Sequence, residues 1–299
     1  MDYTLYHDES KVDGFWHGIL LVPNSKKAEL INLLNTVRKN TNYQSELGIK
    51  KVKNERSKIT RCASGFINVG VASLISNNKG KPYPIDLFRN DKGSKEYETL
   101  YPNIGAKFIL FRERDNKTVL ENYPDFGSIV ETTFRFGLKG GLHFLGNHSD
   151  TIIITGLHFD GHEHYNRLLD RNRIVSRLHG LRSYCSISNV KNIIDDRKSN
   201  HEKEGAQSYE DCQLLQLVDL MIGAFRSNLG FATKDLHKKI GYPTRILFDK
   251  YCKGYKRMSN SRWANSLCFS QCHHSSGGWV FEQLELKQDI REKQLNLGL

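Results

Sequence analysis

Three aspartates stand where a folded chain could bring their carboxylates together. Asp8 follows a short apolar segment near the N-terminus, Asp160 ends another in mid-chain, and Asp219 interrupts a helix-like apolar run. Hard divalent cations prefer oxygen ligands, and Mg²⁺ usually keeps waters and binds one or two carboxylates. Nucleases hold two such cations about 3.5–4 Å apart to hydrolyse phosphodiester bonds. The pattern therefore predicts a site for Mg²⁺ (or Mn²⁺) with Asp8, Asp160 and Asp219 as ligands.

Each aspartate also has a structural explanation. Asp8 could cap a turn together with Ser10, and Asp160 precedes Gly161, as turn residues often do. A carboxylate on an apolar helix face must be paired, coordinated or neutralised. A salt bridge to a buried arginine is therefore the alternative for Asp219.

Further polar residues accompany the aspartates. Glu46 begins a basic stretch and is predicted to be a ligand or a base that positions water; the alternative is an exposed acid. Gln216 lies one turn before Asp219 on the same helix face, where it could orient water or a phosphate, or satisfy a buried backbone group. Supporting roles are predicted for three more residues, namely Glu9, Ser10 and His162. The imidazole could act as a general acid or base, or bind a metal.

The apolar pattern places these residues on the elements of an α/β fold. Residues 3–7 and 15–22 are predicted to pair as a hairpin around a turn at 11–14. Later strands are predicted over 107–111, over 151–159 and over 184–194. The last of these could be split into two strands. Helices are predicted over 25–40, 63–75, 123–145, 165–178 and 211–226. A hairpin followed by alternating strands and helices indicates a mixed sheet flanked by helices.

Finer expectations concern the ends of these elements. Ser25 is expected to cap the first helix, and the helix over 123–145 to break or end near Gly140 and Gly141. The chain beyond about residue 230 is expected to be less regular.

The composition favours a polyanionic partner. Lys and Arg number 44 against 33 Asp and Glu, which gives a formal charge of +11 and a pI near 9.3. Nucleic acid, DNA or RNA, is the commonest partner of so basic a chain. Phosphate contacts are predicted for six side chains, namely Lys50, Lys51, Lys53, Arg167, Arg171 and Arg173. The alternative for the basic stretch 50–61 is a solvated loop.

Other function classes are disfavoured. No signal peptide is recognisable, and no apolar run is long enough to span a bilayer, so no membrane partner is expected. Six scattered cysteines indicate reduced thiols and a cytoplasmic location. Cys268, Cys272 and His273 resemble a zinc half-site, but no second pair of cysteines has the required spacing, which favours ordinary buried thiols.

Two motifs carry a resemblance to a known family. Asp8-Glu9-Ser10 after an N-terminal strand, and Leu215-Gln216-Leu217-Val218-Asp219-Leu220 in a later helix, resemble the prokaryotic family called domain of unknown function 3800. The order and spacing match over residues 1 to about 226. The resemblance implies an RNase H-like fold. It also implies that Asp8, Glu46, Asp160 and Asp219 form its acidic cluster.

Together these observations predict an RNase H-like domain over residues 1–229, with a C-terminal extension over 230–299 packed on the same domain. The predicted activity is metal-dependent hydrolysis of nucleic-acid phosphodiester bonds, with Asp8, Glu46, Asp160 and Asp219 as catalytic residues. The chain could serve as an effector in a prokaryotic defence or toxin-like system. The alternatives are a non-catalytic nucleic-acid binding module, or a regulatory subunit that works with a protein partner or as a homo-oligomer.

Overall fold

The computed structural model describes residues 1–74, 104–114, 126–145, 152–160, 185–187, 193–195, 209–231, 234–256 and 266–284. Within these ranges the chain forms one mixed sheet with helices on both faces. The strands are β1 (Asp2–Ser10), β2 (Phe15–Pro23), β3 (Lys107–Glu113), β4 (Ile152–Phe159), β5 (Cys185–Ile187), β6 (Ile193–Asp195), β7 (Leu267–Ser275) and β8 (Gly278–Gln283). The helices are α1 (Lys27–Thr41), α2 (Lys58–Leu74), α3 (Phe126–Leu145), α4 (Tyr209–Asn228), α5 (Asp235–Ile240) and α6 (Tyr242–Lys256). The predicted α/β class is confirmed.

The strand order is β5-β4-β1-β2-β3-β7-β8, and β6 also pairs with β4. Strand β2 is antiparallel to β1 and β3, whereas β4 is parallel to β1 and β7 is parallel to β3. The β1–β2 connection is tight because Asp13 and Gly14 take left-handed φ values of 58° and 103°. A side chain at Gly14 would also collide with the backbone oxygen of Glu113. The predicted hairpin is confirmed.

The sheet separates two apolar cores because successive side chains of a strand point to opposite faces. On one face, Tyr6 and Trp16 pack in a core with residues from α1, α2 and α4. On the other face, Leu5 and Ile19 pack with Phe134 and other residues of α3. Helix α4 lies across β1 and is buried along most of its length, as its apolar sequence requires. None of the described helices is long and apolar enough to cross a membrane.

Helix α3 corrects one expectation. It continues without a break from Phe126 to Leu145, through Gly140 and Gly141. A Cβ atom at Gly141 would lie 2.2 Å from Cδ1 of Ile109 on β3. The glycine therefore allows the helix to approach the sheet closely, which a sequence pattern cannot distinguish from a break.

The predicted cap at Ser25 is also wrong. A 3₁₀ turn (Asn24–Lys26) precedes α1, and the residue before the helix makes no side-chain capping bond. The turn is instead tied to the sheet through Asn24. Its side chain accepts a hydrogen bond from the Thr4 hydroxyl (2.8 Å) and donates one to the Thr155 hydroxyl (2.7 Å).

The C-terminal part is more regular than expected. It contains α5, α6 and the hairpin of β7 and β8, and β7 extends the sheet beside β3. The strand predicted over 184–194 is split, as anticipated, into β5 and β6, which pair with successive halves of β4. The helix predicted over 165–178 lies outside the described residues.

Candidate acidic site

Asp8 and Asp160 lie at the same edge of the sheet. Strands β1 and β4 are parallel, and their register places His7 opposite Phe159, so Asp8 and Asp160 follow side by side. The backbone N–H of Asp160 donates to the carbonyl of His7 at 3.0 Å. The rings of Tyr6 and His158 stack 4.8 Å apart on the face that α4 covers. Alternation along the strand carries Asp8 to this same face.

Asp219 reaches this edge from α4. Its Oδ2 accepts a hydrogen bond from the backbone N–H of Ile49 at 2.7 Å. Burial raises the pKa of Asp219, and the Ile49 hydrogen bond and the charges of Lys50 and Arg226 oppose that rise. Asp219 forms no ion pair with a Lys or Arg side chain among the described residues. The proposed salt bridge to a buried arginine is therefore not formed in this part of the chain.

Asp8 is buried and lies within the electrostatic influence of both other aspartates. Asp8 is only 7 % exposed. Burial raises its pKa well above the ordinary value, and the negative charges of Asp219, Asp160 and Glu9 raise it further. Within the described ranges its hydrogen bond is local, from the backbone N–H of Glu9 to Oδ1 at 2.7 Å, and no cation pairs with it. The turn cap shared with Ser10 is not observed.

These carboxylates do not form a ready-made cation-pair site. In the described part of the chain, no group of three or more His, Cys, Asp or Glu side chains could hold a metal ion. Asp8 and Asp219 each direct one oxygen to a backbone N–H, and Asp160 is exposed. A single hard cation would need only one or two carboxylates, with water completing its shell. The arrangement does not fit a pair of cations bridged by all three aspartates.

Glu46 lies at the margin of this site. Its carboxylate forms an ion pair with Lys51 (Nζ–Oε2 2.7 Å), and both side chains are about half exposed. Its charge still raises the pKa of Asp219, as the smallest of the named contributions. This position agrees better with the exposed-acid alternative than with a metal ligand.

Gln216 has a structural role. Its Oε1 accepts hydrogen bonds from the backbone N–H of Leu47 (2.8 Å) and from the guanidinium of buried Arg38 (2.8 Å). Two residues along the loop, Ile49 packs so closely on α4 that a Cβ atom at Gly223 would lie 2.4 Å from it. The His237 ring contacts the carbonyl of Val52 at 3.0 Å. We call residues 47–52 the clamped segment, because α4 and α5 hold it against the acidic site.

The clamped segment brings a lysine to the aspartates. Lys50 is exposed within the 3₁₀ turn Ile49–Lys51, and its charge lowers the pKa of both Asp219 and Lys11. For Asp219 and Lys11 alike, burial is the larger influence. Lys53 is exposed beyond the turn. The other predicted phosphate contacts, Arg167, Arg171 and Arg173, lie outside the described residues, as does His162.

Sequence reasoning missed Arg226. It follows Asp219 by two helical turns and is only 6 % exposed. Its Nη1 donates to the hydroxyl of Ser10 at 2.5 Å, which gives Ser10 a partner far along the chain. The spacing between Asp219 and Arg226 on one helix face is the signal that could have identified this residue.

The C-terminal cysteines behave as buried thiols. Cys268 and Cys272 lie on β7 and are fully buried. Burial raises the pKa of the Cys268 thiol to about 12 and raises that of Cys272 as well. Their burial agrees with the expectation of ordinary buried thiols.

No protein-family model, curated protein or solved structure matches the chain. The family resemblance carried by Asp8-Glu9-Ser10 and by the motif around Asp219 therefore stays a prediction.

Proposed function

We propose that the protein is a metal-dependent nuclease that hydrolyses phosphodiester bonds at the edge of the sheet where Asp8 and Asp219 meet. The observation that carries this proposal is the state of Asp8. Its carboxylate is buried beside two other aspartates, and no described cation pairs with it. A buried carboxylate without a counter-charge costs stability, and perturbed acids of this kind concentrate at functional sites.

The fold also supports the proposal of a nuclease. The β1–β2 hairpin, the parallel pairing of β1 with β4, and an aspartate at the end of each parallel strand agree with the RNase H-like architecture that the resemblance implies. Ligands of α/β sheets bind in the crevice at the carboxyl ends of the strands. Asp8 and Asp160 lie at such an end, and α4 adds Asp219.

The residues have distinct roles in this proposal. Asp8 and Asp219 would hold a divalent cation through the oxygens that are not bound to backbone N–H groups. A cation held there supplies acidified water and stabilises charge on the phosphoryl oxygens. Asp160 is exposed beside Asp8, where its carboxylate can accept a proton from the attacking water. Lys50 adds positive charge that attracts the phosphate backbone and offsets the repulsion among the acids.

Cleavage assays test this function directly. Labelled DNA and RNA, single and double stranded, would be incubated with the protein in Mg²⁺, in Mn²⁺ or in chelator. We expect cleavage that requires the cation and is lost in Asp8→Asn and Asp219→Asn. Asp235→Asn is the matched control, because that side chain is 98 % exposed and lies on α5. Cleavage by Asp8→Asn at the wild-type rate would refute the proposed site.

A non-catalytic nucleic-acid binding module is the second candidate. The described residues lack a three-ligand metal group, and the chain has a formal charge of +11, which together favour it. It predicts salt-sensitive binding of DNA or RNA without cleavage under any cation. Cleavage that appears only after a protein partner is added would instead support the role of an effector or subunit in a larger assembly.

A further inference from the structure

Beside the acidic site lie two buried guanidiniums. Arg112 on β3 is 8 % exposed and Arg226 on α4 is 6 % exposed. Both pack on the ring of Trp16, at 5.3 Å and 5.8 Å from its centroid, and Arg112 also lies 4.3 Å from the centroid of Phe231. Burial lowers the pKa of each arginine, the charge of Asp13 opposes that change in both, and a neighbouring positive charge lowers each pKa by a smaller amount. For Arg226 that neighbour is Arg112.

Arg112 has a protein partner for its charge. Its Nε donates to the carbonyl of Asp13 at 3.0 Å, and its Nη2 lies 3.4 Å from the Asp13 carboxylate. These contacts hold the guanidinium against the turn of the β1–β2 hairpin. The charge of Arg112 is therefore paired with a carboxylate of the protein before any ligand binds.

Arg226 differs in this respect. Its hydrogen bond within the described residues goes to a neutral hydroxyl, that of Ser10, and no carboxylate there lies within ion-pair distance. Its Nε–H is buried with no acceptor in that same part of the structure. Arginine is almost never buried unless it is paired. The guanidinium presents five N–H donors, so its one hydrogen bond within the described residues leaves capacity for another group.

We propose that Arg226, with Arg112 and the Ser10 hydroxyl beside it, binds a phosphate group of the nucleic acid next to the one that reacts at Asp8 and Asp219. The planar fork of a guanidinium matches two phosphate oxygens at once. A dianionic or monoanionic phosphate would offset the repulsion between the two arginines. Residues 11–13 of the adjoining hairpin turn are exposed, so the phosphate has a route to this position.

The position along the chain links this subsite to the acids. Ser10 follows Asp8 by two residues on β1, and Arg226 follows Asp219 on α4. The charge of Asp219 raises the pKa of Arg226, which shows that the two side chains are neighbours. The subsite therefore deepens the proposed function and rests on it for the identity of the ligand, a nucleic-acid phosphate.

The test measures binding apart from cleavage. Fluorescence anisotropy of a labelled single-stranded oligonucleotide would be recorded in chelator, over a range of salt concentrations. We expect Arg226→Gln to weaken binding about tenfold or more, because charge-assisted hydrogen bonds are lost. The log–log salt slope should fall by about 0.7, as one phosphate contact disappears. Arg226→Lys keeps the charge but not the fork, so it should keep the slope and still bind less tightly.

Arg245→Gln is the matched control. It removes the same charge from a guanidinium that already pairs with Asp249 at 3.1 Å, so the salt slope should not change. Inorganic phosphate gives a check that does not depend on variants that fold poorly. It should raise the Tm of the wild-type protein, and raise that of Arg112→Gln by less.

Two outcomes would overturn the subsite. They are an unchanged salt slope in folded Arg226→Gln, and a wild-type Tm that phosphate does not move. If oligonucleotide binding depends on Arg226 but no substrate is cleaved with any cation, the nuclease proposal fails and the phosphate subsite stands. If cleavage occurs while oligonucleotide binding does not depend on Arg226, the nuclease proposal stands and the phosphate subsite fails.

Discussion

The two faces of strand β1 bury titratable groups in opposite ways. On the α3 face, the rings of His7 and His17 are 2.8 Å apart, nitrogen to nitrogen, and His17 also contacts the Thr133 hydroxyl at 2.7 Å. On the α4 face, Asp8 is buried beside Asp219 and Asp160. The histidines can be buried at little cost by losing their charge, because a neutral imidazole both donates and accepts hydrogen bonds. The charge of the aspartates can be neutralised only by binding a proton or a cation.

This difference separates a stabilising cluster from the cluster proposed to be reactive. Burial lowers the pKa of His7 to about 3, so the pair is neutral at physiological pH and serves as part of the core. Burial and like charge raise the pKa of Asp8, so its ionised form is held at a cost. Buried residues at adjacent positions of one strand thus differ in how they can accommodate burial. Chemistry is expected on one face only.

The largest effect should separate the faces by activity. Asp8→Asn should reduce cleavage by a hundredfold or more, roughly the scale of losses at metal sites, while the fold is retained. His17→Gln, on the other face, should change cleavage less than about threefold in the fraction that remains folded. Single-turnover rates with a labelled oligonucleotide, normalised to folded protein by circular dichroism, measure both. A loss of cleavage in His17→Gln equal to that in Asp8→Asn would remove the distinction.

The next effect should separate the faces by stability. His17→Ala leaves His7 and Thr133 without their partner in the core, and it also opens a cavity. We expect a loss of about 2–4 kcal/mol in the free energy of unfolding, measured by urea denaturation. Thr133→Val removes the His17 contact and the hydroxyl's bond to the Ile129 carbonyl but keeps the His7–His17 contact, and it should cost about 1 kcal/mol. A cost for His17→Ala below that of Thr133→Val would contradict the network.

The pH dependence should also differ in sign. The folded pKa of His7 is about 3, below the unfolded value of about 6.5. Its contribution to stability is therefore full above about pH 6.5 and falls as the pH drops towards 3, by up to about 1.4 kcal/mol per pH unit. Burial, and to a smaller extent the charge of His7, also lower the pKa of His17, so its pH dependence has the same sign. Urea midpoints measured between pH 7 and pH 5 should fall, and should fall less in His7→Phe.

The smallest effect should run the other way. The folded pKa of Asp8 is raised, so its contribution to stability is full below the unfolded pKa of about 3.9 and is lost as the pH rises through the raised value. At pH 7 in chelator, Asp8→Asn should therefore raise the Tm, by roughly 2 °C. Mg²⁺ should raise the Tm of the wild-type protein and not that of Asp8→Asn. Equal Mg²⁺ shifts in the two proteins would argue against a cation at Asp8.

Local pattern predicted the frame of the molecule. The hairpin, strand β4 and helix α4 follow from apolar periodicity, and the position of Asp219 on an apolar helix singled it out. What the sequence could not predict depends on contacts between distant residues. Leu47 and Gln216 are 169 residues apart, and Ser10 and Arg226 are 216 apart. Residues so far apart meet only because the sheet and α4 are assembled.

Two wrong expectations share one cause. Gly140 and Gly141 resemble a helix end, and Ser25 resembles a cap, when each is judged by its neighbours in sequence. In the fold, Gly141 receives Ile109 of β3, and Asn24 connects the turn before α1 to β1 and β4. Tertiary packing overrides local preference at these positions.

The clamped segment has a consequence for engineering. Leu47 and Ile49 dock their backbone N–H groups on Gln216 and Asp219, which lie one turn apart on α4. The two N–H groups must therefore match the spacing of one helical turn. Adding or deleting a residue between Leu47 and Ile49 would move one N–H group away from its acceptor. Surface loops usually tolerate changes of length, but this one should tolerate only changes of side chain. A library that randomises Lys50 at fixed length would therefore alter the charge beside Asp219 while the docking points stay in register, whereas a Cβ atom at Gly48 would lie 3.3 Å from Oδ2 of Asp219.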